Sequence, residues 1–245
     1  MKLRELLLAI DKIAEDKGFS KPYIVGGLTR DKLMGREDDI NDVDITTGDE
    51  TIYYLARHVS NAITGPNITF TVMDDGHSKI KISGFKIDFS SNFNLPHIED
   101  YLVKYGITNP TSMERELYSR DFTCNTSLMT LDLKEIIDPT GLAIEDIKDK
   151  IIKTCLSPTL TLGYDNKRIV RAIYLAGKLG FDIDSKSKDW IKRHPQLIAN
   201  SGADYIEKKF LKGMRYNPEI IISLINELGV GPYLPLMPEI TPYLK

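Results

Sequence analysis

The 245-residue sequence has few cysteines, no long apolar run and no excess of positive charge. Its two cysteines, Cys124 and Cys155, are too few for a disulfide scaffold, which excludes the small secreted class. No stretch approaches the apolar length of a membrane span. Asp11 interrupts the N-terminal apolar residues, which favours an amphipathic helix over a signal peptide. We therefore expect a cytoplasmic protein with no membrane partner.

The charge balance and the histidines narrow the function further. The formal net charge is −3, so no global basic field attracts nucleic acid, and any contact with RNA depends on local patches. The four histidines, at positions 58, 77, 97 and 194, are scattered without the spacing of metal ligands. A metal site built from histidines is therefore not expected.

The most informative stretch runs from residue 23 to residue 47. It predicts a short buried strand, a glycine turn at Gly26 and Gly27, a short helix, and a second strand that carries Asp42 and Asp44. Glycines let backbone N–H groups approach a ligand, and a helix start aims such groups at anions. Carboxylates two residues apart on a strand project from the same face. This arrangement suits metal-assisted chemistry on a nucleoside triphosphate.

A further aspartate, Asp88, stands in the middle of a later predicted strand. Apolar and polar residues alternate there, and this parity places Asp88 on the face opposite Ile87 and Phe89. Beside the first two carboxylates, Asp88 would complete an acidic triad. The alternative is an ordinary solvent-facing aspartate, and Glu99 and Asp100 follow closely in sequence. The segment 91–112, rich in Asn, Pro and Gly, is predicted to be a loop.

Two later blocks place charged residues at regular spacing. Arg120 offers a planar fork of donors for a phosphate or a sugar, and its alternative role is a surface salt bridge. Asp121 and Asn125 lie four residues apart, and they share one face if the segment is helical.

The second block carries Asp165, Arg168 and Arg171 at three-residue spacing, which a helix presents along one side. An aspartate beside an arginine offers acceptors and donors together, as the edge of a base does. The alternative for Asp165 and Arg168 is an ion pair on the helix surface.

The ordered set of motifs resembles the CCA-adding enzyme and bacterial poly(A) polymerase family, class II nucleotidyltransferases of the polymerase beta superfamily. The resemblance is carried by Val25-Gly26-Gly27-Leu28-Thr29-Arg30-Asp31, Leu33-Met34-Gly35-Arg36, Asp42-Val43-Asp44, and the blocks Ser119 to Thr126 and Tyr164 to Tyr174. The sequence departs from the family pattern at four of these positions. Ser119 and Tyr174 replace arginines, Thr126 replaces an alanine and Tyr164 replaces a glutamate.

The resemblance implies an α+β fold. We expect a nucleotidyltransferase head with a small mixed or antiparallel sheet and helices over residues 1–139. An all-helical neck is expected over residues 140–204, and a partial helical body over residues 205–245. The tail of longer family members is expected to be missing, and a homodimer or a partner is then a candidate source of the remaining grip on RNA.

The resemblance also implies roles for individual residues. Asp42 and Asp44 would bind two Mg²⁺ ions with help from Asp88; one ion would activate the attacking hydroxyl and the other would steady the triphosphate. The implied nucleotide-binding set is Gly26, Gly27 and Arg30 at the β- and γ-phosphates, Asp31 as the residue that orders Arg30, Arg120 and Arg171 at phosphate or ribose, Asp121 and Asn125 at the pocket wall, and Asp165 and Arg168 at the base.

The implied activity is template-independent addition of CMP and AMP, from CTP and ATP, to an RNA 3′ end. Addition of CCA to tRNA is the first choice, and poly(A) or oligo(A) addition to other RNA is the alternative with the same motifs. Nucleotide transfer to a small molecule or protein stays open, although base reading at Asp165 and Arg168 suits repeated polymerisation better. A non-catalytic RNA-binding relative also stays open, although two carboxylates held side by side without a role are costly.

Overall fold

The computed structural model of the chain describes residues 2–36, 42–63, 68–73, 77–82, 84–90 and 94–243. Its contacts divide the chain into two compact units. The first comprises Met1–Arg120 and Cys124–Ile147, and the second comprises Asp121–Thr123 and Lys148–Lys245. Among the described residues, no helix combines the length and the hydropathy that a membrane crossing needs. The domain limits at residues 139 and 204 stay a prediction.

A seven-stranded sheet lies at the centre of the first unit. Its strands are β1 (Tyr23–Val25), β2 (Asp42–Thr46), β3 (Thr69–Val72), β4 (Ser78–Ile82), β5 (Phe85–Phe89), β6 (Leu128–Met129) and β7 (Ile136–Ile137). The order across the sheet is β3-β4-β5-β2-β1-β6-β7. Among these described strands β2 and β5 run parallel, and the other neighbouring pairs are antiparallel. The predicted mixed sheet is therefore confirmed.

The helices of the first unit include one that the sequence did not predict. They are α1 (Leu3–Lys17), α2 (Gly27–Leu33), α3 (Thr51–Ala62), α4 (Ile98–Lys104), α5 (Ser112–Ser119) and α6 (Ala143–Lys148), which ends at the unit boundary. The loop predicted over residues 91–112 is wrong for α4. Ile98 and Leu102 lie one turn apart on this helix and are both buried, so apolar anchoring outweighs the turn-forming residues around them.

The core of the sheet lies on one face, under α1 and α3. Leu6, Leu7 and Ile10 of α1 recur at helical spacing and are fully buried against the strands. Each such side chain contributes roughly 1.5–3 kcal/mol by leaving water. Val43 and Ile45 of β2 belong to the same core. Because side chains alternate along a strand, the residues between and beside them project from the opposite face.

A smaller apolar contact positions α5 on that opposite face. Leu117 of α5 packs against Val25 of β1 and Leu128 of β6, and all three are buried. Val25 pairs directly with Asp44 across the β1–β2 ladder. The C-terminal end of α5 is therefore fixed beside the carboxylate of Asp44.

The second unit is largely helical. It contains α7 (Pro158–Tyr164), α8 (Lys167–Leu179), α9 (Ser185–Arg193), α10 (Ala203–Met214) and α11 (Pro218–Glu227). Gly177 and Gly213 allow a close helix contact, because an added Cβ there would lie 2.5 and 2.9 Å from Cδ1 of Ile221. The all-helical prediction misses two short strands, β8 (Ile151–Ile152) and β9 (Asp182–Ile183), which pair in parallel.

Candidate active site

Three carboxylates lie together on the sheet face opposite the α1–α3 core. Asp42 and Asp44 project from β2, and Asp88 of β5 pairs directly with Asp44 in the parallel register. One oxygen from each carboxylate lies within 4.8 Å of the other two. The predicted grouping on one face is confirmed, because strand parity and the β2–β5 pairing leave these side chains no other face. Their catalytic role stays a prediction.

The electrostatics of this carboxylate cluster favour a bound cation. Burial raises the pKa of Asp44 above its usual range, Arg120 offsets part of this rise, and Asp88 and Asp42 raise the pKa further. Oδ1 of Asp88 is buried and makes no hydrogen bond, and Nζ of Lys79 is 3.7 Å from it. Crowded carboxylate oxygens of this kind are stabilised by hard divalent cations. The cluster could therefore hold a divalent metal ion.

The glycine turn keeps open the space between Asp44 and Arg120. Gly26 has a φ of +82°, in the region that favours glycine. A Cβ at this position would lie 3.3 Å from Oδ2 of Asp44 and 3.8 Å from Nη1 of Arg120. The hydroxyl of Thr29 fixes the turn by donating to the carbonyl of Gly26, at 2.9 Å. Any larger residue at position 26 would intrude on the cluster.

Arg30 lies beside this turn but is already engaged by neighbours. Its side chain is only 3% exposed. Nη1 donates to Oδ1 of Asn125 at 2.7 Å, and Nε and Nη2 donate to Oδ1 of Asp31 at 2.9 and 2.7 Å. Arg30 thus ties α2 to Asn125 within the first unit. The predicted contact of Arg30 with phosphates stays a prediction.

Asp121 and Asn125 do not share a helix face, which corrects that expectation. Arg120 is extended, and the segment after it forms a 3₁₀ turn rather than an α-helix. Asn125 belongs to the first unit and accepts from Arg30. Asp121 belongs to the second unit, where Nε and Nη2 of Arg171 donate to its Oδ2 at 2.6 and 2.5 Å. The carboxylate of Asp121 raises the pKa of Arg171 further above its already high range.

Positive side chains and tyrosines surround Arg171 within the second unit. We call Lys167, Arg171, Lys209 and Lys212 the basic cluster. Nζ of Lys209 is 5.0 Å from the ring centroid of Tyr174 and 5.7 Å from that of Tyr205. Burial lowers the pKa of Lys209, and Arg171, Lys212 and Lys208 lower it further. Positive charge therefore exceeds its local compensation here.

The predicted common helix side for Asp165, Arg168 and Arg171 is wrong for Asp165. It is the extended residue that ends α7, and α8 begins only at Lys167. Oδ1 of Asp165 accepts the backbone N–H of Lys167 at 3.0 Å, and Oδ2 lies 3.9 Å from Nε of Arg168. The structure thus contains the ion pair that was the alternative for these residues. Their role in base reading stays a prediction.

The sequence profile of the poly(A) polymerase head domain matches residues 22–153 of the chain. The chain belongs to this family. The match covers more than half of the sequence and includes the carboxylate cluster, the glycine turn and Arg120. Asp165, Arg168 and Arg171 lie beyond it.

Two relatives extend this likeness beyond the head-domain match. A CCA-adding enzyme from Geobacillus sp. strain WCH70 is 31% identical over 235 residues, covering 94% of this chain and 54% of that enzyme. An A-adding tRNA nucleotidyltransferase from Aquifex aeolicus strain VF5 is 31% identical over 182 residues, covering 72% of this chain and 21% of that protein. The chain spans about half the length of the first of these relatives.

A solved structure shows the same fold. The crystal structure of the Bacillus stearothermophilus CCA-adding enzyme in complex with CTP matches with a TM-score of 0.74 and 26% identity. The match covers 96% of this chain and 55% of that one. The predicted nucleotidyltransferase head followed by further helices is therefore confirmed.

Glu116 belongs to the surroundings of the carboxylate cluster, although it is absent from the predicted site residues. Its buried carboxylate accepts from Nη2 of Arg120 at 2.7 Å and from the hydroxyl of Thr46, two residues beyond Asp44 on β2. Glu116 therefore fixes Arg120 beside the carboxylate cluster. The signal in the sequence is the four-residue spacing of Glu116 and Arg120 next to the core residue Leu117.

Lys86 is the other residue absent from the predicted set. It lies on β5 two residues before Asp88, so both side chains project from the same face. Its Nζ is 2.9 Å from Oδ1 of Asp42 and 2.6 Å from Oδ2 of Asp88. The strand parity that identifies Asp88 also indicates this lysine.

Proposed function

We propose that the chain adds CMP and AMP, from CTP and ATP, to the 3′ end of tRNA and releases pyrophosphate. The observation that carries this proposal is the cluster of Asp42, Asp44 and Asp88 beside the open glycine turn, in a member of the poly(A) polymerase head domain family. The CCA-adding relatives over both units support tRNA as the acceptor.

Mg²⁺ is the proposed cofactor, and Asp42, Asp44 and Asp88 would hold it. The buried Oδ1 of Asp88 without a hydrogen bond and the gap that a Cβ at Gly26 would fill both suit an added cation and its phosphate ligand. When bound, Mg²⁺ supplies Lewis-acid activation of the 3′-hydroxyl and charge stabilisation at the leaving pyrophosphate.

The other residues of the first unit bind and orient the nucleotide in this proposal. Gly26 and Gly27 leave room for the triphosphate close to the backbone. Arg120, held by Glu116, donates to a phosphate or to the ribose. Arg30 supports the phosphates chiefly by ordering the turn through Asp31 and Asn125, since its donors already face these partners.

The second unit supplies base selection and RNA contacts in this proposal. Asp165 and Arg168 offer an acceptor and donors for a base edge. The basic cluster binds phosphates of the RNA backbone, because its excess positive charge is relieved by a polyanion. We place the reaction in the cytoplasm, whose reducing conditions keep buried thiols such as Cys124 and Cys155 reduced.

A narrower product is the second candidate. Tyr164 is 59% exposed at the position where the resembled family has a glutamate that borders the base-reading aspartate. A tyrosine lacks the two acceptor oxygens of a carboxylate, so selection between CTP and ATP is expected to change. One relative of this chain is named an A-adding tRNA nucleotidyltransferase, which is an activity narrower than CCA addition. Addition of A alone, or A-tailing, is the corresponding alternative.

Primer extension tests both candidates. The full chain is incubated with Mg²⁺ and a tRNA that lacks its CCA end, with CTP alone, with ATP alone and with both, and the products are sized. The main proposal predicts a stop after two nucleotides with CTP and after three with the mixture. Products extended by ATP alone would replace it with the second candidate.

An Asp42→Ala variant is the matched control. It is expected to give no product with any nucleotide while keeping the fold, since Asp42 is the most exposed carboxylate of the cluster, at 64% of its side chain. Absence of extension by the unaltered chain on every RNA, with tRNA binding intact, would overturn the proposed transferase activity.

A further inference from the structure

The ammonium group of Lys86 lies between the carboxylates of Asp42 and Asp88. Lys86 and Asp42 are direct neighbours across the β2–β5 pair, as are Asp88 and Asp44. Nζ of Lys86 is 2.9 and 3.2 Å from the two oxygens of Asp42 and 2.6 Å from Oδ2 of Asp88. One lysine thus bridges the carboxylates of Asp42 and Asp88.

These contacts engage oxygens that a metal ion would also use. Asp42 offers two carboxylate oxygens, and both lie within hydrogen-bond distance of Lys86. Divalent cations bind carboxylate oxygens at much shorter distances than an ammonium group does. An ion bound between Asp42 and Asp88 therefore has to displace Nζ of Lys86 from at least one of them.

The side chain of Lys86 can leave without breaking the core. It is 32% exposed, and its strand neighbours stay in place without it, because Ile87 is buried and Phe85 pairs with Ile82 of β4. A lysine stem is flexible and carries its charge as a point rather than as a fixed fork. Movement of its ammonium group into solvent therefore requires only rotamer changes.

We propose that Lys86 is a tethered counter-ion of the carboxylate cluster: its ammonium group offsets part of the negative charge of Asp42 and Asp88 before the metal binds, and the metal displaces it. Lys86 thereby sets the metal concentration at which the site fills. This inference rests on the proposed function, because it assigns the metal ion to that same cluster. It makes Lys86 a positioning residue, since it acts through the carboxylates rather than on the nucleotide.

Removal of the charge has two linked consequences. Without Lys86, the metal-free cluster loses its closest partner and becomes less stable. The metal-bound form loses only a displaced side chain and is affected less. Metal affinity therefore rises, by roughly 1.5- to fivefold if the ion pair has the strength of other partly exposed pairs.

Calorimetric titration with Mn²⁺ alone, without nucleotide or RNA, measures this effect directly. The variants are Lys86→Met, which keeps the length of the stem, and Lys86→Gln, a second neutral variant in case the first does not fold. Lys81→Met is the matched control. It removes a lysine from β4 directly opposite Lys86, and the described structure shows no ion pair between Lys81 and the carboxylates.

The inference predicts tighter Mn²⁺ binding for both neutral variants, lower melting temperatures for them in EDTA, and no change for Lys81→Met. Structural damage alone would weaken binding, so it cannot produce this result. Unchanged or weaker Mn²⁺ binding in the neutral variants, with normal binding by the unaltered chain, would overturn the role of Lys86 alone. Absence of Mn²⁺ binding by the unaltered chain, equal to that of Asp44→Asn, would overturn the metal site and with it the proposed function.

Discussion

The carboxylate cluster of the first unit and the basic cluster of the second unit concentrate charged groups of opposite sign. In the first, three carboxylates crowd together, and burial with neighbouring charge raises the pKa of Asp44. In the second, burial and neighbouring cations lower the pKa of Lys209. Perturbed pKa values of this kind cluster at functional sites. In the proposed function, the first cluster accordingly binds a cation and the second a polyanion.

The largest expected effect follows from neutralising the crowded carboxylate. Asp44→Asn should lower the single-turnover rate of nucleotide addition by roughly 10³-fold or more, because it removes a ligand of the metal that stabilises developing charge. The same variant should melt at a higher temperature in EDTA at neutral pH. The pKa of Asp44 is raised in the folded chain, so its charge costs stability above the unfolded value of 3.8.

These opposite shifts in rate and stability distinguish a functional from a structural carboxylate. Loss of both rate and melting temperature in Asp44→Asn would contradict the account, since it would make Asp44 part of the scaffold.

A smaller effect is expected from the support of Arg120. Glu116→Gln should lower the rate by roughly 10²-fold, because loss of the charged partner lets the guanidinium group move away from the cluster. It should also cost about 1–3 kcal/mol of unfolding free energy, because Glu116 is buried. Single-turnover extension and urea unfolding measure the two.

Glu114→Gln is the control for this variant. Glu114 lies on the same helix and caps its N-terminus, a role that glutamine also performs. An equal rate loss in both variants would show that Arg120 does not depend on Glu116.

The basic cluster should respond in binding rather than in chemistry. Lys209→Met should weaken tRNA binding and reduce the salt dependence of log K by about one unit, because one phosphate contact is lost. Filter binding over a range of salt concentrations measures both. Lys186→Met, an exposed lysine on α9 outside the cluster, is expected to leave the slope unchanged. Equal slopes for the unaltered chain and Lys209→Met would remove Lys209 from the RNA surface.

The smallest effect is expected at Asp49, a carboxylate whose charge is stabilised by hydrogen bonds. Burial raises the pKa of Asp49, but hydrogen bonds from Ser20, Thr51 and Thr47 outweigh it and lower the pKa below 3.8. Its ionised form therefore stabilises the fold above that value, and this contribution is lost as pH falls through the folded pKa. Asp49→Asn should cost about 0.5–1.5 kcal/mol near pH 7 and nearly nothing in strong acid.

Urea unfolding of this variant at several pH values measures the difference. A constant difference across the acid range would contradict the assignment. The hydrogen bonds to Asp49 would then not lower its pKa, and the contrast with the raised pKa of Asp44 would be lost.

Strand parity is the part of the site that the sequence predicts well. Because side chains alternate along a strand, spacing alone placed Asp42 and Asp44 on one face and Asp88 on the face opposite Ile87 and Phe89. That Asp88 joins the pair was suggested by the family resemblance, and the β2–β5 pairing brings it there. The partners of that cluster were harder to predict. Glu116 reaches it from α5 through the packing of Leu117 on Val25, which is a contact between residues distant in sequence.

Residue spacing also could not predict the backbone conformation between the regular elements. Asp121 and Asn125 were expected on one helix face, but Asn125 lies in a 3₁₀ turn and the two side chains have different partners. Asp165 was expected inside a helix, but its carboxylate accepts a backbone N–H just before α8 begins. Aspartates often satisfy helix ends in this way, so helical spacing alone overestimates the length of a helix that follows one.

The most direct test of the account is the position of a metal ion in crystals of the full chain grown with Mn²⁺ and CTP, located by anomalous scattering. The account predicts a peak within coordination distance of Asp42, Asp44 and Asp88, with Nζ of Lys86 withdrawn from Asp42. A peak elsewhere, or none while CTP is bound, would contradict the claim that this carboxylate cluster is the metal-dependent centre of nucleotide transfer.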